Sequence, residues 1–276
     1  MQPHRSRYWE HPNIDDWDAF AQQVGEICEL HDKAKAQYET EGVHTVSIDE
    51  KPGIQALERD GATLPTQADQ VERREFNYIR HGTQVLTGNL HLATGKLISP
   101  TIADTRTEAD FVEHIERLIQ SDPQAGFVIL CDQLNTHKSE SLVRLIAHTL
   151  GDDQDLGEKG KSGILKSMET RQAYLSHPEH RIRFVYTPKH CSWLNSIEVW
   201  FSILTKHVLT RGNFLCIDDL TQKIQRYIAY YNQHLAKVWK WSVVKTKEIQ
   251  ALIDKVMRVE GALKPCDEEQ EAVAHL

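Results

Sequence analysis

The sequence predicts an α/β domain, a mixed five-stranded sheet flanked by helices, on three observations. Residues 44–49 (HTVSID) are β-branched and alternating, as a strand with two unlike faces should be. Residues 83–92 and 96–102 flank an Ala-Thr-Gly turn and read as a hairpin. Residues 127–132 (FVILCD) form an unbroken apolar run, which suits a central strand covered on both faces.

Taken in order, Asn13 or Asp15 can cap a first helix, in which Trp17, Phe20, Val24, Ile27, Cys28 and Leu30 recur with helical period. It should end near 39–42. The first strand follows and is expected to stop before Pro52 and Gly53. After the hairpin, Thr107 opens a capping box (TEAD) and a helix to about Gln120, with Phe111, Ile115, Leu118 and Ile119 inward. The fourth strand leads to a helix over 138–150, a polar stretch 151–163, a short helix over 164–175 and a fifth strand over 182–186. A long helix is then expected from Ser192 or Trp193 to Thr210, with Trp193, Ile197, Trp200, Phe201, Leu204 and Val208 as one apolar stripe and Arg211 and Gly212 closing it. Helices over 217–235 and 243–259 and a disordered acidic end, 265–276, complete the chain. A single helical crossover makes the fourth strand parallel to the first, and a site should form where those two strands are neighbours.

Composition narrows the class. The chain has 276 residues, 40% hydrophobic and 26% charged, which excludes disordered, collagen-like and fibrous proteins. A chain of this size buries roughly 75% of its unfolded surface and needs no staples. No apolar run approaches the roughly 18 residues of a membrane span, and the polar first residues do not offer the apolar stretch expected of a signal peptide. A cytoplasmic protein without a membrane partner is expected. The five cysteines (28, 131, 191, 216 and 266) contain no CxxC spacing and should be reduced, mostly buried thiols.

The net charge of −8 conceals an asymmetry. Between Arg181 and Lys247 stand eleven Lys or Arg and three acids, so this stretch is +8 and the remainder −16. Lys189, Lys206, Arg211, Lys237 and Lys240 lie in it, with Tyr227, Tyr230, Tyr231, Trp239 and Trp241 interleaved. Basic residues among aromatics suit a polyanion such as DNA; the plainer reading is that they solvate helix surfaces. Lys237 to Ser242 (KVWKWS) carries the same choice, between touching DNA and covering the core with its two tryptophans.

Three acids could carry chemistry. Asp49 ends the first strand and Asp132 the fourth; on adjacent strands roughly 4.8 Å apart their carboxylates converge, and a divalent cation relieves the repulsion. Glu198, one turn into the long helix, offers a third. Hard oxygen ligands of this kind suit Mg²⁺ or Mn²⁺, and two such ions serve phosphodiester chemistry. Taken singly, each acid has an ordinary explanation: Asp49 and Asp132 as turn or capping residues, Glu198 as a solvated flank. Their joint placement points to a site.

The segments Ser47-Ile-Asp-Glu-Lys51, Cys131-Asp-Gln-Leu-Asn-Thr-His-Lys138 and Thr187-Pro-Lys-His-Cys-Ser-Trp-Leu-Asn-Ser-Ile-Glu-Val-Trp-Phe201 resemble the catalytic core of DDE transposases, in the bacterial insertion-sequence branch related to mariner elements. The resemblance runs from about His4 to Ser242. It implies a ribonuclease-H-like fold with Asp49, Asp132 and Glu198 as the metal-binding triad for Mg²⁺ or Mn²⁺, two ions in all. It implies supporting roles for Asn135, His137, Ser192, Trp193 and Asn195, DNA as partner at element ends and target, and a homodimer in the active state. The implied reaction is direct attack of water, then of a freed 3′-hydroxyl, on phosphodiesters. Domain limits follow as a helical linker over 1–43, a catalytic domain over 44–242 and a C-terminal helix with acidic tail over 243–276. The sequence departs from the family twice. The stretch between Asp132 and Glu198 is longer, read as an insertion over 151–180, and only 48 residues precede Asp49, so a helix-turn-helix reader of the element ends is expected to be missing.

Several motifs lead elsewhere and are set aside. Gly160-Lys-Ser162 lacks the glycine that a phosphate loop needs at Asp155, and no nucleotide cofactor is expected. His177 and His180 flank a proline and read as surface residues, and Cys191 reads as a packed thiol. A metal-dependent phosphodiester-transfer enzyme is thus weighed against a catalytically silent DNA-binding or oligomerisation remnant, and stabilisation by Mg²⁺ or Mn²⁺ would distinguish them.

Overall fold

The computed structural model describes residues 17–61, 66–71, 77–189 and 191–239. A five-stranded sheet has the order β3-β2-β1-β4-β5, with β1 His44–Arg59, β2 Tyr78–His91, β3 Thr101–Ala103, β4 Phe127–Cys131 and β5 Ile182–Tyr186. The hairpin strands are antiparallel, whereas β1 pairs parallel to β4 and β4 to β5. The connections are helical: α1 Trp17–Glu41, α2 Glu108–Gln120, α3 Glu140–Leu150, α4 Met168–Leu175, α5 Ile197–Leu204 and α6 Ile217–Tyr230. This is the mixed sheet and strand order read from the sequence.

Strand alternation divides the interior into two cores. Val46, Ile48, Phe127, Ile129 and Cys131 face α2, α3 and α4, and meet Phe111, Ile115, Leu142, Ile146 and Leu175 there. On the opposite face Leu86 and Leu90 meet Ile197, Trp200, Phe201 and Leu204 of α5 and Leu220 and Ile224 of α6. Leu165, Tyr174 and Leu175, inside the stretch read as an insertion, belong to the first core. Thr107 does cap α2, in a reciprocal box with Asp110.

Three expectations need correction. First, β1 does not stop at Pro52 and Gly53 but runs to Arg59 through a register shift between Lys51 and Ile54. A bulge accepts a proline and a glycine at φ +70° because its extra residue needs no ladder bond. It also inverts the alternation: Val46 and Ile48 belong to the first core, whereas Ile54 and Ala56 belong to the second. Second, the returning strand of the hairpin is shorter than expected, with Leu97 bridging Leu90 alone and regular pairing confined to Thr101–Ala103. Third, the long helix over 192–210 is broken. A 3-10 turn, Ser192–Leu194, is followed by extended Asn195, and α5 begins only at Ile197. Trp193 is consequently 47% exposed and leaves the apolar stripe, which Ile197, Trp200, Phe201 and Leu204 carry. The wider turn Thr205–Leu209 continues α5 as π-helix. The helix expected over 243–259, the acidic end, Trp241, Cys266 and Lys240 lie outside the described residues. Among the described residues no helix is long and apolar enough to cross a membrane.

Candidate active site

The switch point of the sheet lies between β1 and β4, whose register pairs Ser47 with Leu130. Continued by two residues, that register sets Asp49 opposite Asp132, each at the carboxyl end of its parallel segment. Asp49 is buried on the α5 side. Its antiparallel neighbour on β2 is Gly88, where a Cβ would lie 3.1 Å from Ile197 Cδ1 and 3.3 Å from the Phe201 ring. The missing side chain lets α5 settle onto the sheet and brings Glu198, in its first turn, toward Asp49.

The break before α5 has a chemical cause. Asn195 Nδ2 donates to Ile48 O at 2.8 Å and to Asp49 Oδ2 at 3.2 Å, and its Oδ1 accepts from Ser47 Oγ. Ser47 Oγ in turn accepts from Ile197 N at 3.0 Å. The helix cap is thereby supplied by the neighbouring strand, since Ser196 makes no side-chain cap bond. Extended backbone at Asn195 is what allows one amide to tie the helix entrance to the strand that carries the first acid.

The electrostatics are uneven. Burial pushes the Asp49 carboxyl up to about 7, with Asp132, Glu198 and Glu50 adding to the rise against a lowering bond from Glu50 N. Burial also raises Asp132, but the hydrogen bond and charge of His137 outweigh it, and its carboxyl lies below the ordinary range. His137 is fully buried, with Nδ1 2.8 Å from Asp132 Oδ1 and Nε2 3.2 Å from Glu50 Oε1. Burial opposes its charge, yet bonds to Asp132, Cys131 and Glu50 hold the ring well above its usual pKa. Asp49 thus feels the charge of both Asp132 and Glu198. Among the described residues, however, no three His, Cys, Asp or Glu side chains stand close enough to form a ready metal cage. What fits a hard divalent cation is the donor set itself: a buried carboxylate whose protonation is favoured by two acidic neighbours, and those neighbours.

The remaining predicted residues divide clearly. Asn195 and His137 are buried and hold the acids, whereas Asn135, Ser192 and Trp193 are exposed and bond to none of them. Lys189, Lys206, Arg211 and Lys237 are exposed. Lys206 lines an open cleft of about 400 Å³ with Lys51, Glu198, Phe201, Ser202, Thr205 and Thr210. Burial raises the Cys191 thiol, in keeping with a packed residue. The sequence reading assigned no role to Ser47, Glu50, Lys51 or Gly88. Alternation along 47–51 was available to sort Ser47 and Asp49 from Glu50, but the partners of these residues lie far along the chain.

A family model described as DDE superfamily endonuclease matches residues 44–221. The chain belongs to that superfamily. Among solved structures it is similar to the Mos1 mariner paired end complex with Mn, at 11% identity and TM-score 0.45 over 82% of this chain and 59% of that one. It is also similar to the catalytic domain of Mos1 mariner transposase, at 10% identity and TM-score 0.42 over 80% and 85% of the respective chains. This chain therefore spans about 59% of the first of those proteins. No curated protein matches it.

Proposed function

We propose that this chain is the catalytic part of a transposase, a metal-dependent endonuclease that cuts DNA phosphodiesters at the ends of an insertion sequence and joins them to a target. The observation that carries the reading is the buried Asp49, set by the β1/β4 register opposite Asp132 and raised by burial and by the charges of Asp132 and of Glu198 on α5, inside the residues matched by the endonuclease family. Asp49, Asp132 and Glu198 would hold Mg²⁺ or Mn²⁺, and two such ions supply Lewis acidity at the attacking and leaving oxygens of a phosphodiester. Asn195 keeps Asp49 turned into the site, and His137 does the same for Asp132. Lys51 and Lys206 stand beside Glu198 in the cleft and suit the phosphates of a strand laid along α5. The reading includes DNA as the partner, a homodimer in the active state and a cytoplasmic location. An intact acid set with dedicated supports favours it over a silent DNA-binding remnant.

The test is Mn²⁺-dependent nicking of supercoiled plasmid by the full chain. Asp49→Asn, Asp132→Asn and Glu198→Gln should each abolish nicking while the proteins remain folded. Full activity in any one of them would remove that residue from the triad.

A further inference from the structure

Glu50 is an acid beside the site that the triad does not use. Strand alternation turns it away from Asp49, toward the face of Val46 and Ile48, and its side chain is only 7% exposed. A buried carboxylate requires a partner, and Glu50 finds one in His137 Nε2, 3.2 Å from Oε1. The other ring nitrogen lies 2.8 Å from Asp132 Oδ1. Phe111 packs against the same ring, with centroids 4.2 Å apart. An imidazole enclosed in this way cannot swing out without breaking both bonds. Asp132, by contrast, lies just past the end of β4 with 39% of its side chain exposed. It depends on its bonds to His137 and to Leu134 N for a fixed orientation. Both of these fall on Oδ1, which leaves Oδ2 for a cation.

We infer that Glu50 is a positioning residue: through the His137 ring it fixes the Asp132 carboxylate in the orientation that binds a divalent cation. The inference rests on the proposed metal role of Asp132, but the Glu50–His137–Asp132 linkage exists without metal and is testable without it. Removing the outer partner of a ligand typically weakens metal binding by roughly 10–100-fold. A purely structural Glu50 would instead lower thermal stability and leave metal affinity alone. A Glu50 that itself ligated metal would lose its function equally in the glutamine and alanine variants.

Mn²⁺ titrations of the full chain, followed by electron paramagnetic resonance well below each melting temperature, separate these cases. Glu50→Ala should weaken Mn²⁺ binding by roughly 10–100-fold, and Glu50→Gln, which keeps the Oε1 acceptor, by no more than about threefold. Glu50→Asp keeps the charge but falls one methylene short of His137, and carries the alanine expectation if Glu50→Ala does not fold. Wild-type affinity in Glu50→Ala, or equal losses in Glu50→Gln and Glu50→Ala, would overturn the inference. If the wild-type chain takes up no Mn²⁺, or Asp132→Asn binds it unchanged, the triad reading fails, and metal-free unfolding then decides the inference alone. There, the effects of Glu50→Ala and Asp132→Asn on the unfolding equilibrium constant should depart from multiplicativity by at least about fivefold, and should multiply when His137→Gln is present. Multiplicative effects with His137 intact would overturn it.

Discussion

Replacing Asp49 by asparagine should stabilise the metal-free protein, and do so most at high pH. The carboxyl of Asp49 rises from 3.8 to about 7 in the fold, first through burial and then through the charge of Asp132, Glu198 and Glu50. The folded chain therefore takes up a proton that the unfolded chain has released wherever the pH lies between these values. Stability falls as pH climbs through that window, and the penalty stays at its full size above it. At about 1.4 kcal/mol per pH unit, a rise of about three units amounts to about 4 kcal/mol at pH 8 and about 1.6 kcal/mol at pH 5. Asparagine escapes the whole of it. It keeps only one oxygen, however, so either Glu50 N or Asn195 Nδ2 loses its acceptor, at a cost of about 1 kcal/mol. The net expectation is about 3 kcal/mol of added stability at pH 8 and less than about 1 kcal/mol at pH 5.

Urea unfolding of the two proteins in EDTA at both pH values measures this directly. The quantity to follow is the difference of differences, about 2 to 3 kcal/mol, because titrations common to both proteins cancel in it. Adding Mn²⁺ at about 100 times its Kd should then restore about 2.7 kcal/mol to the wild type at pH 8 and little to the variant. An asparagine protein that is destabilised at pH 8, or whose advantage is the same at pH 5, would refute the account of a buried, crowded charge. Equal stabilisation of both proteins by Mn²⁺ would show that the cation binds elsewhere.

Parts of this site were legible in the chain and parts were not, for physical reasons. The pairing of β1 with β4 followed from one helical crossover and the handedness of such connections, and with it came the juxtaposition of Asp49 and Asp132. Buried Asn195 was reached through the resemblance to the DDE family, but its task was not, because that task depends on Ser47, 148 residues earlier in sequence. Periodicity carried the long helix back through Trp193. A local pattern cannot register that Ser47 would cap the helix from another strand, or that Asn195 must be extended to reach Ile48 O. Pro52 and Gly53 misled for the opposite reason: as local breakers they end most central strands, whereas here β1 has already passed its last pairing with β4 at Ser47, and a bulge absorbs both. Glu50 needed its partner at His137, 87 residues away, before it could be told from a solvated neighbour of Asp49.

Three further expectations follow from the same contacts. Asn195→Ala removes the donor to Ile48 O and Asp49 Oδ2 and the acceptor of Ser47 Oγ; denaturant unfolding should show a loss of about 2 to 4 kcal/mol, and wild-type stability would contradict the tie between α5 and β1. Gly88→Val places branched carbon against Ile197 and Phe201 and should cost about 1 to 3 kcal/mol by overpacking, and Mn²⁺-dependent nicking should fall more than the stability loss explains, because Glu198 rides on the displaced helix. The cleft supplies the last. Lys51 comes from β1 and Lys206 from the π-turn after α5, so the two ammoniums approach one cleft from different elements. The hydroxyls of Ser202, Thr205 and Thr210 there already donate to backbone carbonyls, which leaves the lysines to supply its donors to an anion. If each neutralises one phosphate, Lys51→Ala with Lys206→Ala should reduce the slope of log K against log salt by roughly 1.8 for duplex DNA, at about 0.9 per phosphate. Because phosphate contacts carry no sequence information, the loss should be the same on unrelated sequences. Fluorescence anisotropy on two duplexes between low and moderate salt gives both quantities. An unchanged slope would remove DNA from the cleft, and a loss confined to one sequence would mean that these residues read bases instead of holding the backbone.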